Sequence, residues 1–380
     1  MKKSLFAIAA VTAFAGAAQA QSSVTVYGII DMGFNNANQR ATVGNVTSKE
    51  TTSAFTSSNQ TTSRLGFKGT EDLGGGVSAF FTVESELDPN GTTAVYKNRQ
   101  SLVGLNDKKI GSASFGTQYT PIHEAVGATD PGQQNNVVGS VIYPSSTGLA
   151  TSPSDSNTIS YTVRTGNMAK FVSSTFAGFQ GKAFYTLNNK NETQNGTAGG
   201  TQNTNGYGIG LNYNWQKLLV TANYQSFKNE DNGAAASITA ASTVSGITGV
   251  NVTNNQTYVA ATYDFGILKA YLGYINRKVT SGLNSNNYAK RSAQQVGVRS
   301  FITPKVEGWA SIGNGRDSAY GANSPTVNFN AWQLGTNYWL SKRTNLYGIY
   351  GQELTSSSNT LGLNANQAAS QFAVGVRHTF

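Results

Sequence analysis

The side chains that usually carry bond-making chemistry are scarce in this 380-residue chain. It has no cysteine and two histidines, His123 and His378. Thiolate chemistry, disulfides and cysteine-based metal sites are therefore excluded. The two histidines belong to no Ser/His/Asp arrangement and no metal-ligand spacing, so neither an enzyme nor a metal or other cofactor is expected. His123 sits in a long polar stretch where an imidazole could titrate near neutral pH, or serve as a polar loop residue. His378 falls on an apolar register near the chain end. The 27 Lys and Arg against 18 Asp and Glu give a formal charge of +9. The basic residues are dispersed as singles and isolated pairs such as Lys342-Arg343 at a turn, with no longer cluster, so a nucleic-acid partner is not expected. Asn-x-Thr triplets, at Asn90, Asn191, Asn251 and Asn255 among others, follow from Asn- and Thr-rich composition. What remains is chemistry done by a field: fixed charges that attract, repel and orient water and ions.

Such charges need a scaffold. Only 12% of residues are charged, against about 25% in soluble domains, yet mean hydropathy is −0.31. Glycine numbers 42, and 18 Tyr, 18 Phe and 4 Trp argue against disorder. The only long apolar run is at the start. Lys2 and Lys3 precede an apolar stretch from Leu5 to Ala15, and Ala18-Gln19-Ala20 has the form of a cleavage site. Residues 1–20 are expected to be a signal peptide, leaving 21–380 as one domain with a formal charge of +7.

From Val24 onward, segments of about ten residues alternate apolar and polar, the period of strands with unlike faces. Short turns fall at Thr70–Gly75, Asn106–Gly111, Phe176–Gly178, Trp215–Lys217, Asp264–Gly266, Ile302–Pro304 and Leu340–Lys342. Long polar stretches fall near 35–59, 88–94, 120–161, 188–204, 229–255, 279–289, 314–327 and 354–369. Seven turns and eight loops join sixteen strands, the pattern of a transmembrane antiparallel β-barrel with short periplasmic turns and long extracellular loops.

A weak repeat supports this reading. The hexads starting at Gly210, Ala260, Gly297, Gly335 and Gly375 put Leu211, Tyr213, Trp215, Tyr263, Phe265, Val298, Ile302, Tyr338, Leu340, Val376 and Phe380 on one face. Asn212, Thr262, Arg299, Asn337 and Arg377 take the other. The first face suits lipid, with aromatics at the strand ends. A soluble sandwich would not keep aromatics at one end of successive strands.

Particular segments then resemble a known family: Val24-Thr-Val-Tyr-Gly28, the run SRLGFKGTEDLGGG from Ser63 to Gly76, LSKRT from Leu340 to Thr344, and the terminal Phe380. They are similar to the general trimeric porins of Gram-negative bacteria, in their β-proteobacterial form. The resemblance implies a barrel in the outer membrane that passes small hydrophilic solutes and ions. It also implies a homotrimer among outer-membrane lipid and lipopolysaccharide, handed to the barrel assembly machinery through Phe380. The third loop, Thr120 to about Val163, is implied to fold into the lumen; its sequence shows no helix or strand period. Three wall arginines that the family places at the constriction match Arg64, Arg99 and Arg164. The last lies in Arg164-Thr-Gly-Asn167, with Phe171 and Ser174 where tyrosine and proline are more usual. Glu124 and Asp130 are the loop acids available to face them, with Asp155 a further candidate. Arg64 shares a face with Gly66 and Lys68, opposite Leu65 and Phe67, and so points inward, because charge on lipid costs about 2–4 kcal/mol. Modest anion preference is the expectation. A solute-specific channel on the same barrel is the alternative, which an aromatic ladder along the pore would favour.

Overall fold

The computed structural model describes residues 23–91, 97–144, 160–189, 203–230, 237–238, 249–320, 326–356, 358–360 and 363–380. The proposed signal peptide and Asp155 lie outside these. The strands are β1 (Ser23–Val43), β2 (Val46–Ser57), β3 (Arg64–Gly74), β4 (Val77–Glu86), β5 (Lys97–Asp107) and β6 (Gly111–Tyr119), followed by helix α1 (Pro121–Thr129). The chain continues with β7 (Arg164–Ser173), β8 (Phe179–Asn189), β9 (Asn203–Trp215), β10 (Leu218–Glu230) and a short hairpin of β11 (Ser237–Ile238) and β12 (Gly249–Val250). It ends with β13 (Val252–Asp264), β14 (Lys269–Ser281), β15 (Tyr288–Phe301), β16 (Val306–Tyr320), β17 (Thr326–Trp339), β18 (Thr344–Thr355), β19 (Ser358–Thr360) and β20 (Leu363–Thr379).

Eighteen of these segments form one sheet. β2 and β3 are halves of a single wall strand, both paired with β1, and β19 carries the line of β18 onward along β20. Sixteen antiparallel wall strands result. The sheet closes on itself where Ile29–Val43 pairs with Ala365–Thr379. Closure removes the edges and pairs the backbone, which lipid requires. Phe380 completes the seam, its N–H donating to the Gly28 carbonyl at 3.1 Å.

All seven short turns lie at the rim where β1 begins and β20 ends. The hexad apolar face points outward, with Trp215, Phe265, Ile302 and Phe380 exposed. Outward rows run across neighbouring strands, for example Leu272, Val296, Ile312 and Trp332 on β14 to β17. Inward positions carry the polar side chains.

The long polar stretches are less loop-like than expected. The stretch near 35–59 is largely a hairpin, β1 and β2 running paired to Val43 and Val46. Beyond the lipid band an outward residue no longer gains from being apolar. Alternation is lost there while the hydrogen-bonded ladder continues. The expectation of a third loop without helix also fails, because Pro121–Thr129 is helical. Thr120 caps it by accepting from the His123 N–H at 3.3 Å, and Pro121 opens the first turn.

Candidate functional site

Residues 120–144 and 160–163 run inside the barrel, pressed on the inner wall. Ile122 and Val126 of α1 are fully buried with Tyr161, Tyr258 and Ile275. Beyond α1 the backbone is held by glutamines at inward positions of five strands. Gln333 Nε2 donates to the carbonyls of Val137 and Val138 at 3.0 and 3.1 Å. Gln371 Oε1 accepts from the Val138 N–H at 2.9 Å. Gln295 Oε1 accepts from the Val141 N–H at 3.1 Å. Gln256 accepts from the Thr162 N–H at 2.7 Å, and Gln225 donates to the Thr162 carbonyl at 3.2 Å. An amide offers both donor and acceptor, so it can satisfy an irregular backbone that has no ladder partner. Approach is so close that a Cβ on Gly351 would lie 1.7 Å from the Val138 carbonyl oxygen. Glycine is required there by space.

Three arginines meet on one side of the gap this segment leaves. Arg64 opens β3 after the interruption at 58–63, which Asp31 secures by accepting from the N–H groups of Gln60 and Thr61 at 2.7 and 2.6 Å. Arg99 is the extra residue of a bulge: Glu84 pairs with Gln100, and Ser85 with Asn98. Counting alternately from outward Val103 and Leu105 would send Arg99 outward, and the bulge turns it in. Arg164 opens β7 opposite Tyr119.

Arg99 is the hub. Its Nε donates to Glu84 Oε1 at 2.8 Å, its Nη2 to the Tyr119 hydroxyl at 2.7 Å, and its Nη1 lies 3.7 Å from Glu86 Oε2. Arg64 Nη1 is 3.7 Å from the same Glu84 oxygen. Tyr27 donates to the other oxygen at 3.1 Å, its ring lying over Gly66 where a Cβ would come within 2.3 Å of it. Arg64, Arg99, Arg164, Glu86 and Glu124 all line a cavity of about 540 Å³.

Glu84 and Glu86 are the acids that sequence reasoning missed. Their signal was available: in Val83-Glu84-Ser85-Glu86 both acids share the face opposite Val83. Glu124 lies on the cavity but is engaged elsewhere, bonded to the ammonium of Lys170 and, at 2.7 Å, to that of Lys182. Burial pushes its carboxyl up, and the two ammonium groups more than reverse this, leaving it below its ordinary value. Asp130 is away from the arginines, accepting from the Gln134 N–H at 2.6 Å and Gln295 Nε2 at 3.0 Å. Burial pushes its carboxyl up.

His123 packs against Tyr119, ring centroids 4.5 Å apart, with Nδ1 3.2 Å from the Tyr161 hydroxyl. Burial, followed by the charges of Arg99, Arg164 and Arg64, holds its ring well below the ordinary 6.5. Neutral titration is thereby removed. His378 is exposed on the outward face, Nδ1 2.8 Å from Thr344 Oγ1.

A closed sixteen-strand barrel with an apolar outer band and a charged, partly filled interior is a membrane channel. Among the described residues no helix is long and apolar enough to cross a membrane. The chain belongs to the Gram-negative porin family, whose model matches residues 7–359. It is an outer-membrane porin. It is 29% identical to an outer membrane porin protein of Bordetella pertussis over an alignment covering 100% of both chains. In fold it is similar to an anion-selective porin from Comamonas acidovorans, with TM-score 0.69, 22% identity, and 95% of this chain and 100% of the other covered. The trimer form of OmpT from Vibrio cholerae gives TM-score 0.63 at 17% identity, covering 94% and 99%.

Proposed function

We propose that the protein is a general diffusion porin with modest anion preference, its narrowest passage bounded by Arg64, Arg99 and Arg164 on the wall and by the segment carrying Glu124. The observation that carries this is a charge imbalance. Arg64, Arg99, Arg164, Glu86 and Glu124 line the cavity, with Glu84 paired to Arg99 and Lys170 and Lys182 paired to Glu124 just outside the lining. Five cations thus face three carboxylates, a local net charge of +2. Chloride and small anions are enriched there, while passage itself needs no conformational step. Tyr119, His123 and Tyr143 form one compact aromatic group at the cavity. A solute-specific channel would need such groups along the pore axis, so diffusion is favoured. Asp130 acts as a fastening of the inner segment and not as a pore charge.

The assembly that fits is a homotrimer, exported through residues 1–20 and handed to the assembly machinery through Phe380, with the long connections outside the cell. Planar-bilayer recording tests the reading. Stepwise conductance with a reversal potential of anionic sign is expected. Cation selectivity would refute the arginine account and leave the barrel intact.

A further inference from the structure

We propose that the outer face of β14–β17 holds a phosphate-bearing lipid of the surrounding leaflet, its headgroup on Lys278, Lys290 and Arg316 and an acyl chain in the groove below. Lys278 and Lys290 are direct cross-strand partners, and Arg316 sits on the next strand opposite Ser292. All three share the outward register of Leu272, Val296 and Ile312. Like charges placed directly opposite destabilise a sheet, and the only carboxylates on β14–β17, Glu307 and Asp317, point inward to Arg299 and Arg291. Among the described residues no carboxylate forms an ion pair with any of the three, and an anion from outside the chain would supply the compensation. Lys278 also lies over the Tyr288 ring at 4.0 Å, and that ring stacks on Tyr320. Arg316 Nε donates to Asn328 Oδ1 at 2.9 Å. Both contacts steady the cations on the outer surface.

The height is that of a headgroup. Phe301 marks the short-turn rim of β15, and Ser292, level with Arg316, is nine residues away. At about 3.4 Å per residue and about 40° of tilt this is roughly 23 Å, close to the height of the apolar band. Immediately toward the band lies a groove of about 660 Å³ edged by Arg316, Gln294, Asn314 and Asn330. It runs on into one of about 480 Å³ walled by Leu272, Val296, Ile312 and Trp332. Basic, then polar, then apolar along one track matches a single amphipathic molecule with an anionic head. A free phosphate would leave the apolar half unused, so the occupant is a lipid.

The inference rests on the barrel lying in the outer membrane, and channel recordings on the same samples report on that reading separately. The test is native mass spectrometry of the detergent-extracted protein titrated with lipid A, a bis-phosphorylated glycolipid, and with its dephosphorylated form. The K278Q/K290Q/R316Q variant should lose roughly 100-fold in lipid A affinity, about fivefold per cation, with its conductance unchanged. The dephosphorylated form should bind both proteins alike. R316Q alone should lose about fivefold, which keeps the test open if the triple variant folds poorly. K228Q, on β10 where Lys228 pairs with Glu230, should bind lipid A as the parent does. Equal lipid A affinity in parent and variants would overturn the proposal. So would a change of oligomeric state in the variants, which would make this face an interface between copies.

Discussion

Replacing Arg164 by glutamine removes one unit of lumen charge with little structural disturbance, because no carboxylate lies within ion-pair distance of it among the described residues. A cavity of about 540 Å³ is equivalent to a sphere about 5 Å in radius, so an ion at its centre is about 7 Å from the surrounding charges. In water at 0.15 M salt, each net unit then shifts a monovalent ion by about 0.25 kcal/mol. The local net of +2 favours an anion over a cation by roughly fivefold. R164Q lowers the net to +1 and the ratio to about two. Replacing Arg64, Arg99 and Arg164 together leaves a net of −1, and the ratio inverts to about 0.4. The assay is the reversal potential of single channels across a tenfold KCl gradient, repeated at 1 M salt, where the Debye length of about 3 Å should shrink every difference. Retained heat resistance of the folded species on a detergent gel shows that the barrel is intact. A parent-like ratio in both variants would refute the assignment of the pore's field to these arginines.

Other consequences follow from how the inner segment is held. Glu124 has a depressed carboxyl, so its ion pairs with Lys170 and Lys182 contribute fully above the ordinary 4.5 and are lost as pH falls through the lower folded value. Current noise should rise as the pH falls below the ordinary 4.5, and in E124Q the noise should be present at neutral pH and largely independent of it. His123 is neutral in the folded protein, so its C2-proton resonance should stay flat from about pH 8 to 6; a titration midpoint in that range would contradict the burial described. G351A forces the Val138 carbonyl off the wall, which should cost about 1–3 kcal/mol and alter single-channel conductance. Q333L strands the carbonyls of Val137 and Val138, lowering thermal stability by about 1–3 kcal/mol for each buried group left unpaired; an unchanged melting temperature in detergent would show the glutamine contacts to be dispensable.

The barrel was legible because lipid on one side and water on the other imprint a two-residue period, and the turns punctuate it. Legibility failed wherever that asymmetry ends. Past the lipid band β1 and β2 lose their alternation, and a paired hairpin reads as loop. Arg99 fails differently, for parity from Val103 and Leu105 gives the wrong side and only a one-residue bulge corrects it. The glutamine belt left no trace at all. Gln225, Gln256, Gln295, Gln333 and Gln371 are nearly fully buried, yet in sequence they are ordinary polar residues on a water-facing register. Their role depends on a segment that returns from up to about 230 residues away, as in the bond between Val138 and Gln371. The same holds for the loop acids. The sequence presents Glu124 as a charge free to face the arginines, but Lys170 and Lys182 come from strands that folding sets directly beneath it. The acids that do face the arginines stand on the wall, at Glu84 and Glu86. A pore of this kind is therefore specified at two levels: strand periodicity determines where the water is, and long-range pairing determines which charges that water meets.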